Sequence, residues 1–176
     1  MKTMKTVIIG AVAVTLVSFG ANAAKDQGNG TVNFKGEIID APCGIAPESA
    51  DQSIDFGQIS RAHLNSGGIS VKKDVNIKLI HCDLGSGDKA KKGVNVTFSG
   101  ATVDAARKML GASDTGAGIV MVAQDGKEVV FGTPGAAIPL TNGNNTLHYQ
   151  AWVKKAGVSV TEGEFTTVAG FTLAYN

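Results

Sequence analysis

The chain has 176 residues, with 16 Lys and Arg against 15 Asp and Glu and a formal charge of +1. That balance excludes the strongly basic surface of a nucleic-acid binder and gives no reason to expect an anionic membrane as partner. The length fits one domain with room for a tail.

Met1 to Ala23 reads as a secretory signal. Lys2 and Lys5 supply the positive start, Val7 to Gly20 is apolar, and Ala21-Asn22-Ala23 is a small-x-small cleavage pattern. An uncleaved anchor is the alternative, but the apolar run is too short to span a bilayer. Cleavage removes two lysines and leaves 14 basic against 15 acidic residues. No later apolar run is long enough to cross a membrane, so no membrane insertion is expected after cleavage.

Ala24 to Gly30 is polar and Gly-rich, a composition that stays disordered without a partner. It runs into a stretch where Val32 and Phe34 share one strand face. Extended backwards, that face carries Gly30, Gly28 and Asp26. Glu37 to Cys43 reads as the first core strand, ending at Pro42. Asp51 to Gly57 reads as a short strand around Ile54 and Phe56, and Ile59 to Gly68 as a loop. Ile69 to Cys82 predicts a strand with Val71, Val75, Ile77, Leu79 and His81 on one face. Asp83 to Gly93 is an exposed loop, followed by a strand through Val94, Val96 and Phe98.

Val103 to Leu110 is expected to form one or two helical turns. Ile119 to Ala123 and Glu128 to Phe131 flank Gln124-Asp125-Gly126-Lys127, and Asp-Gly between apolar runs signals a hairpin. Ile138 to Leu140 leads into the turn Thr141 to Asn145. Leu147, Tyr149, Ala151 and Val153 then alternate along another strand. From Gly163 to Asn176 every second residue from Phe165 to Tyr175 falls on one mostly apolar face. That last segment is either an ordinary strand inside a sandwich or an edge that waits for a strand from another molecule. Seven to nine short strands with frequent turns and almost no helix make an all-β sandwich, of immunoglobulin-like type.

Cys43 and Cys82 both lie in the exported part, and an even count in an oxidising compartment argues for a disulfide. Metal binding fits poorly, because His63 and His148 have no ligand-like spacing to His81 and Cys82. Gly85 to Gly93 is Gly- and Lys-rich but lacks the Gly-Lys-Ser/Thr ending of a phosphate loop. No Gly-x-Ser-x-Gly turn occurs, and the carboxylates show no acid/base spacing. Neither a catalytic site nor a cofactor or metal site is expected. Trp152 reads as a partly exposed packing residue rather than a sugar platform.

Taken together, the signal, the Gly-x-Gly-Thr-Val-x-Phe-x-Gly tail (28 to 36), the Ile-Ile-Asp-Ala-Pro-Cys run (38 to 43), the second cysteine, Gly163 fourteenth from the end and penultimate Tyr175 resemble one family. They resemble the structural subunits of chaperone–usher pili, of the type 1 and P-pilus class of Gram-negative bacteria. The resemblance implies an incomplete immunoglobulin-like sandwich lacking its last strand, completed by donor-strand exchange. It implies a signal at 1–23, a donor-strand extension at 24–36 and a pilin domain at 37–176. Gly28, Gly30, Val32 and Phe34 would form the donor strand. Gly163, Phe165, Phe171, Leu173 and Tyr175 would line the groove edge and be read by a periplasmic chaperone. Asp26 departs from the apolar residue such strands often carry at that end. An outer-membrane usher and neighbouring subunits complete the implied partners, and the cell surface is the implied destination. The rival classes are a minor adaptor or tip adhesin with its own sugar site, and a small periplasmic enzyme.

Overall fold

The structure, a computed structural model, describes residues 28–176. The signal segment and residues 24–27, Asp26 included, lie outside the described residues. The chain divides into two units, the first ending at Glu37 and the second running from Ile38 to Asn176. In the first unit, residues 28–37 form no regular secondary structure and are exposed.

The second unit holds eight strands among the described residues: β1 (Gly44–Ile45), β2 (Lys73–Cys82), β3 (Gly93–Ser99), β4 (Met109–Gly111), β5 (Ala117–Ala123), β6 (Ile138–Pro139), β7 (Gly143–Lys155) and β8 (Gly170–Tyr175). One sheet has the order β1-β2-β7-β5-β4 and the other β6-β3-β8, with every pairing antiparallel. The fold is therefore all-β, two antiparallel sheets facing across one core.

Period-2 alternation builds that core. Val75, Ile77 and Leu79 of β2 face inward beside Leu147, Tyr149, Ala151 and Val153 of β7. Register sets Ile77 opposite Leu147, and Met121 of β5 opposite Ala151. Val94, Val96 and Phe98 of β3 come from the other sheet. Cys43 and Cys82 are bonded, with Cα atoms 4.1 Å apart. The bridge ties the chain just ahead of β1 to the end of β2.

Several expectations change. Glu37 to Cys43 is not a core strand: Ile38 is fully exposed at 103% and Ile39 stands at 50%. β1 pairs with β2 only at Gly44 and Ile45, and the last backbone bond on that side runs from the Asp83 amide to the Pro42 carbonyl, while β2 bulges against β7 between Leu79 and Cys82. The same bulge, with His81 at φ 51°, turns His81 outward and Cys82 inward. Val71 is exposed and precedes β2.

Val103 to Leu110 is not helical. The Asp104 carboxylate accepts hydrogen bonds from the Lys108 and Met109 amides, and Thr102 bridges Leu110. An Asp side chain that bonds nearby amides offers the backbone a turn in place of a helix. The region 59–68 instead contains a short helix, α2 (Arg61–Asn65), after α1 (Pro47–Ala50). Ser60 caps α2 by accepting from the His63 amide.

The Asp125-Gly126 turn forms, with Gly126 at φ 77° and the Ala123 amide bonded to the Lys127 carbonyl. Its second arm is not a strand. Glu128 makes an isolated bridge to Val122, and Phe131 leaves the sheet to become one of the most buried side chains. Asp51 to Gly57 and Gly163 to Ala169 join no ladder.

Candidate strand-acceptor groove

β8 ends its sheet. It pairs with β3 on one side, and no described strand pairs with the other. In an antiparallel pair, residues alternate between exchanging both backbone hydrogen bonds with the partner and pointing those groups away. The Gly93 and Asn176 amides each donate to the other's carbonyl, at 3.3 and 3.1 Å. Register then makes Ala174, Thr172 and Gly170 the bonded positions. The N–H and C=O groups of Phe171, Leu173 and Tyr175 are left to face the free edge.

Side-chain exposure follows the same parity. Phe165, Thr167, Ala169, Phe171, Leu173 and Tyr175 are half-buried, and the residues between them are exposed. The half-buried side chains thus belong to the residues whose backbone groups are free. A strand added at this edge would meet hydrogen-bonding groups and an apolar wall at once.

Beside that edge lies a cavity of about 790 Å³. Its floor is Val75, Ile77, Ile119, Met121 and Ala151 from the large sheet. One lip is Phe165 to Phe171. The other is Ser49 to Phe56, where Gln52, Ile54 and Phe56 alternate as half-buried residues. Phe56 and Phe165 approach across the groove with ring centroids 6.4 Å apart.

The expected edge residues separate into three groups. Phe165 and Phe171 line the cavity. Leu173 and Tyr175 continue the same edge beyond it, paired with Val96 and Val94. Gly163 does not line the cavity. It stands ahead of the lip at φ 154°, a positive value that favours glycine. At the far end, Lys91 Nζ donates to the Tyr175 carbonyl at 3.3 Å, covering the last acceptor of the edge. The buried Tyr175 hydroxyl has no partner among the described residues, and burial pushes its phenol pKa up.

The expected donor residues are all exposed. Val32 is 74% and Phe34 92% open to solvent, and a Cβ added at Gly28 or Gly30 would meet nothing within 4 Å. Ile38, expected in a core strand, is equally exposed. It lies on the face of Val32 and Phe34 when alternation is carried forward through Gly36. That parity was the available signal, masked by reading Glu37 to Cys43 as core.

Among the described residues no group of His, Cys, Asp and Glu could hold a metal ion. Trp152 is half-buried, with the Lys72 ammonium 4.7 Å from its ring centre. Beside it Gln150 donates to Asp74, and His148 pairs with Asn76. These are cross-strand pairs on the outer face of the large sheet.

The comparisons agree with this architecture. The family model described as "Fimbrial protein" matches residues 32–176. KS71A fimbrillin of Escherichia coli is 50% identical, over 98% of this chain and 99% of the relative. The Pap fimbrial major pilin protein of Escherichia coli is 47% identical over the same shares. Among solved structures, the P pilus rod subunit PapA superposes with a TM-score of 0.72 at 46% identity, covering 77% of this chain and all of that one. A chain from a chaperone–usher pilus structure concerned with rod uncoiling gives a TM-score of 0.78 at 43% identity, covering 85% and 97%. The chain belongs to the fimbrial protein family, with that family's incomplete immunoglobulin-like sandwich.

Proposed function

We propose that the chain is a non-enzymatic structural subunit that polymerises head to tail. The tail of one copy, residues 28–38, fills the groove of the next. The observation that carries this reading is the shared parity of the β8 edge: edge-facing backbone groups and half-buried side chains fall on the same residues, Phe171, Leu173 and Tyr175, with Lys91 covering only the Tyr175 carbonyl. An exposed segment with Val32, Phe34 and Ile38 at positions of one strand parity supplies what that edge lacks. Gly28, Gly30 and Gly36 keep the remaining positions of that face small. Strand addition satisfies the edge's hydrogen bonds and buries alternate side chains.

Immunoglobulin-like sheets are antiparallel, so the added strand runs antiparallel to β8. A contact between a tail and a different surface of the next copy does not close on itself and yields an open filament. Surface fimbriae are the destination. A periplasmic chaperone reading Phe165 to Tyr175 and an outer-membrane usher are the assembly partners this requires, because an unfilled apolar edge is an aggregation hazard. The shaft role is favoured over a minor adaptor or tip adhesin by relatives matched over nearly their whole length that carry pilin names.

The test is deletion of residues 24–38. Soluble subunit should still accumulate with its chaperone while filaments disappear. Normal filaments would refute the assignment.

A further inference from the structure

We infer that Ser113 is a positioning residue for strand addition, holding the entry half of the acceptor edge in register. The inference rests on the donor-strand reading above and adds to it.

The lip from Phe165 to Ala169 continues the exposure parity of β8 but has no ladder behind it. Ser99 of β3 faces Gly170, so the position facing Thr166 lies four residues past the end of β3. The chain has turned away there. The backbone of Thr166 is nevertheless paired: its amide donates to Ser113 Oγ at 3.2 Å, and Ser113 Oγ donates to its carbonyl at 3.2 Å. Parity with Gly170 directs both Thr166 groups away from the free edge. One hydroxyl therefore replaces the missing ladder partner and leaves Phe165 and Thr167 with their backbone groups turned to the groove.

The geometry of the clamp is built rather than incidental. Ser113 belongs to the connection between β4 and β5, in the opposite sheet, so the bond spans the sandwich. Its φ is 48°, a conformation that favours glycine, yet a hydroxyl-bearing residue occupies it. Two neighbouring contacts hold the same approach. Asn65 pairs through its side-chain amide with both the N–H and C=O of Val160, and the Thr161 amide donates to the Thr115 carbonyl. Of these contacts, the Ser113 clamp is the one that holds a residue lining the cavity, Thr166.

Antiparallel addition brings the carboxyl-terminal part of the donor, Gly36 and Ile38, beside this lip. Val32 and residues before it lie toward β8. Loss of the clamp should therefore loosen one end of the added strand and spare the other.

The experiment is hydrogen exchange by mass spectrometry on assembled filaments of wild type, Ser113→Ala, Ser113→Gly and Ser113→Asn. Removing two neutral hydrogen bonds predicts exchange about tenfold faster at residues 36–39 and 163–167 in the Ala and Gly variants. Exchange at 30–33 and 171–175 should stay as in wild type. Asn tolerates the positive φ and keeps a donor and an acceptor, so it should restore slow exchange at the lip. Wild-type exchange at the lip of Ser113→Ala, or restoration by Gly, would overturn the proposal, the latter by showing that backbone strain is what matters. Uniformly faster exchange over the whole groove would reduce Ser113 to a general stabiliser and also overturn it. So would loss of soluble subunit in all three variants, which would place Ser113 in folding. Failure of the underlying donor reading looks different: residues 30–38 would exchange fast in wild-type filaments.

Discussion

Phe98 of β3 stands directly opposite Phe171 of β8, their ring centroids 6.3 Å apart and the planes tilted by 55°. The pair sits at a position where the two backbones do not exchange hydrogen bonds, so the side chains approach closely. Phe98 also meets the edge of Tyr149 from the large sheet at 4.8 Å. Three aromatics thus carry the contact from β8 through the core to β7, and Phe171 serves both the wall of the groove and the stability of the sandwich.

Phe171→Ala should therefore act twice. Loss of a half-buried aromatic should cost about 1–3 kcal/mol, less than a fully buried one. It should also weaken the grip on an incoming strand. Urea denaturation of the subunit in its chaperone complex measures the first, and filament yield the second. Unchanged stability would show that the Phe98 contact contributes little.

The disulfide closes a separation of 39 residues. On the chain-entropy estimate it stabilises by about 4 kcal/mol. Cys43→Ser with Cys82→Ser should lower the denaturation midpoint accordingly and raise protease sensitivity ahead of β1. Peptide mapping of native filaments without reductant should find no free thiol at either residue.

Burial, and after it the negative charge of Asp125, pushes the Tyr149 phenol up to about 12. An unfolded tyrosine ionises near about 10. Below that pH both states keep the proton and the group has no effect. As pH rises from about 10 to 12, the unfolded chain releases the proton first, and stability falls by up to about 1.4 kcal/mol per unit. Tyr149→Phe should flatten that alkaline decline in denaturation midpoints. An equally steep decline in the variant would assign it to other groups.

The core strands were legible because their alternation is strong and unbroken. Val75-x-Ile77-x-Leu79 and Leu147-x-Tyr149-x-Ala151-x-Val153 leave one reading, and the structure has it. The alternation from Phe165 to Tyr175 was legible for the same reason. Failures came where local chemistry overrode pattern. Asp104 bonded its own turn amides, and Ser60 capped a helix inside an expected loop. Ile38 and Ile39 looked like core because apolar residues usually are. Nothing local says that pairing with β2 begins only at Pro42 and Gly44, after both isoleucines. Ser113 gave no signal, since its role depends on Thr166, 53 residues away.

Parity along the tail gives a separate check. Ile38→Asp should impair assembly as a groove-facing residue, while Lys35→Glu on the opposite face should assemble normally. Equal loss from both would mean that the tail does not bind as a strand with one buried face.

The central claim is that Phe34 of one copy sits in the groove of another. Phe34→Asp places a carboxylate in an apolar site, at a cost of several kcal/mol. Electron microscopy of cells carrying this variant, beside quantification of the soluble subunit–chaperone complex, tests it most directly. A normal amount of complex and no filaments are expected. Normal filaments would contradict it, and loss of the complex would place Phe34 in the subunit's own core.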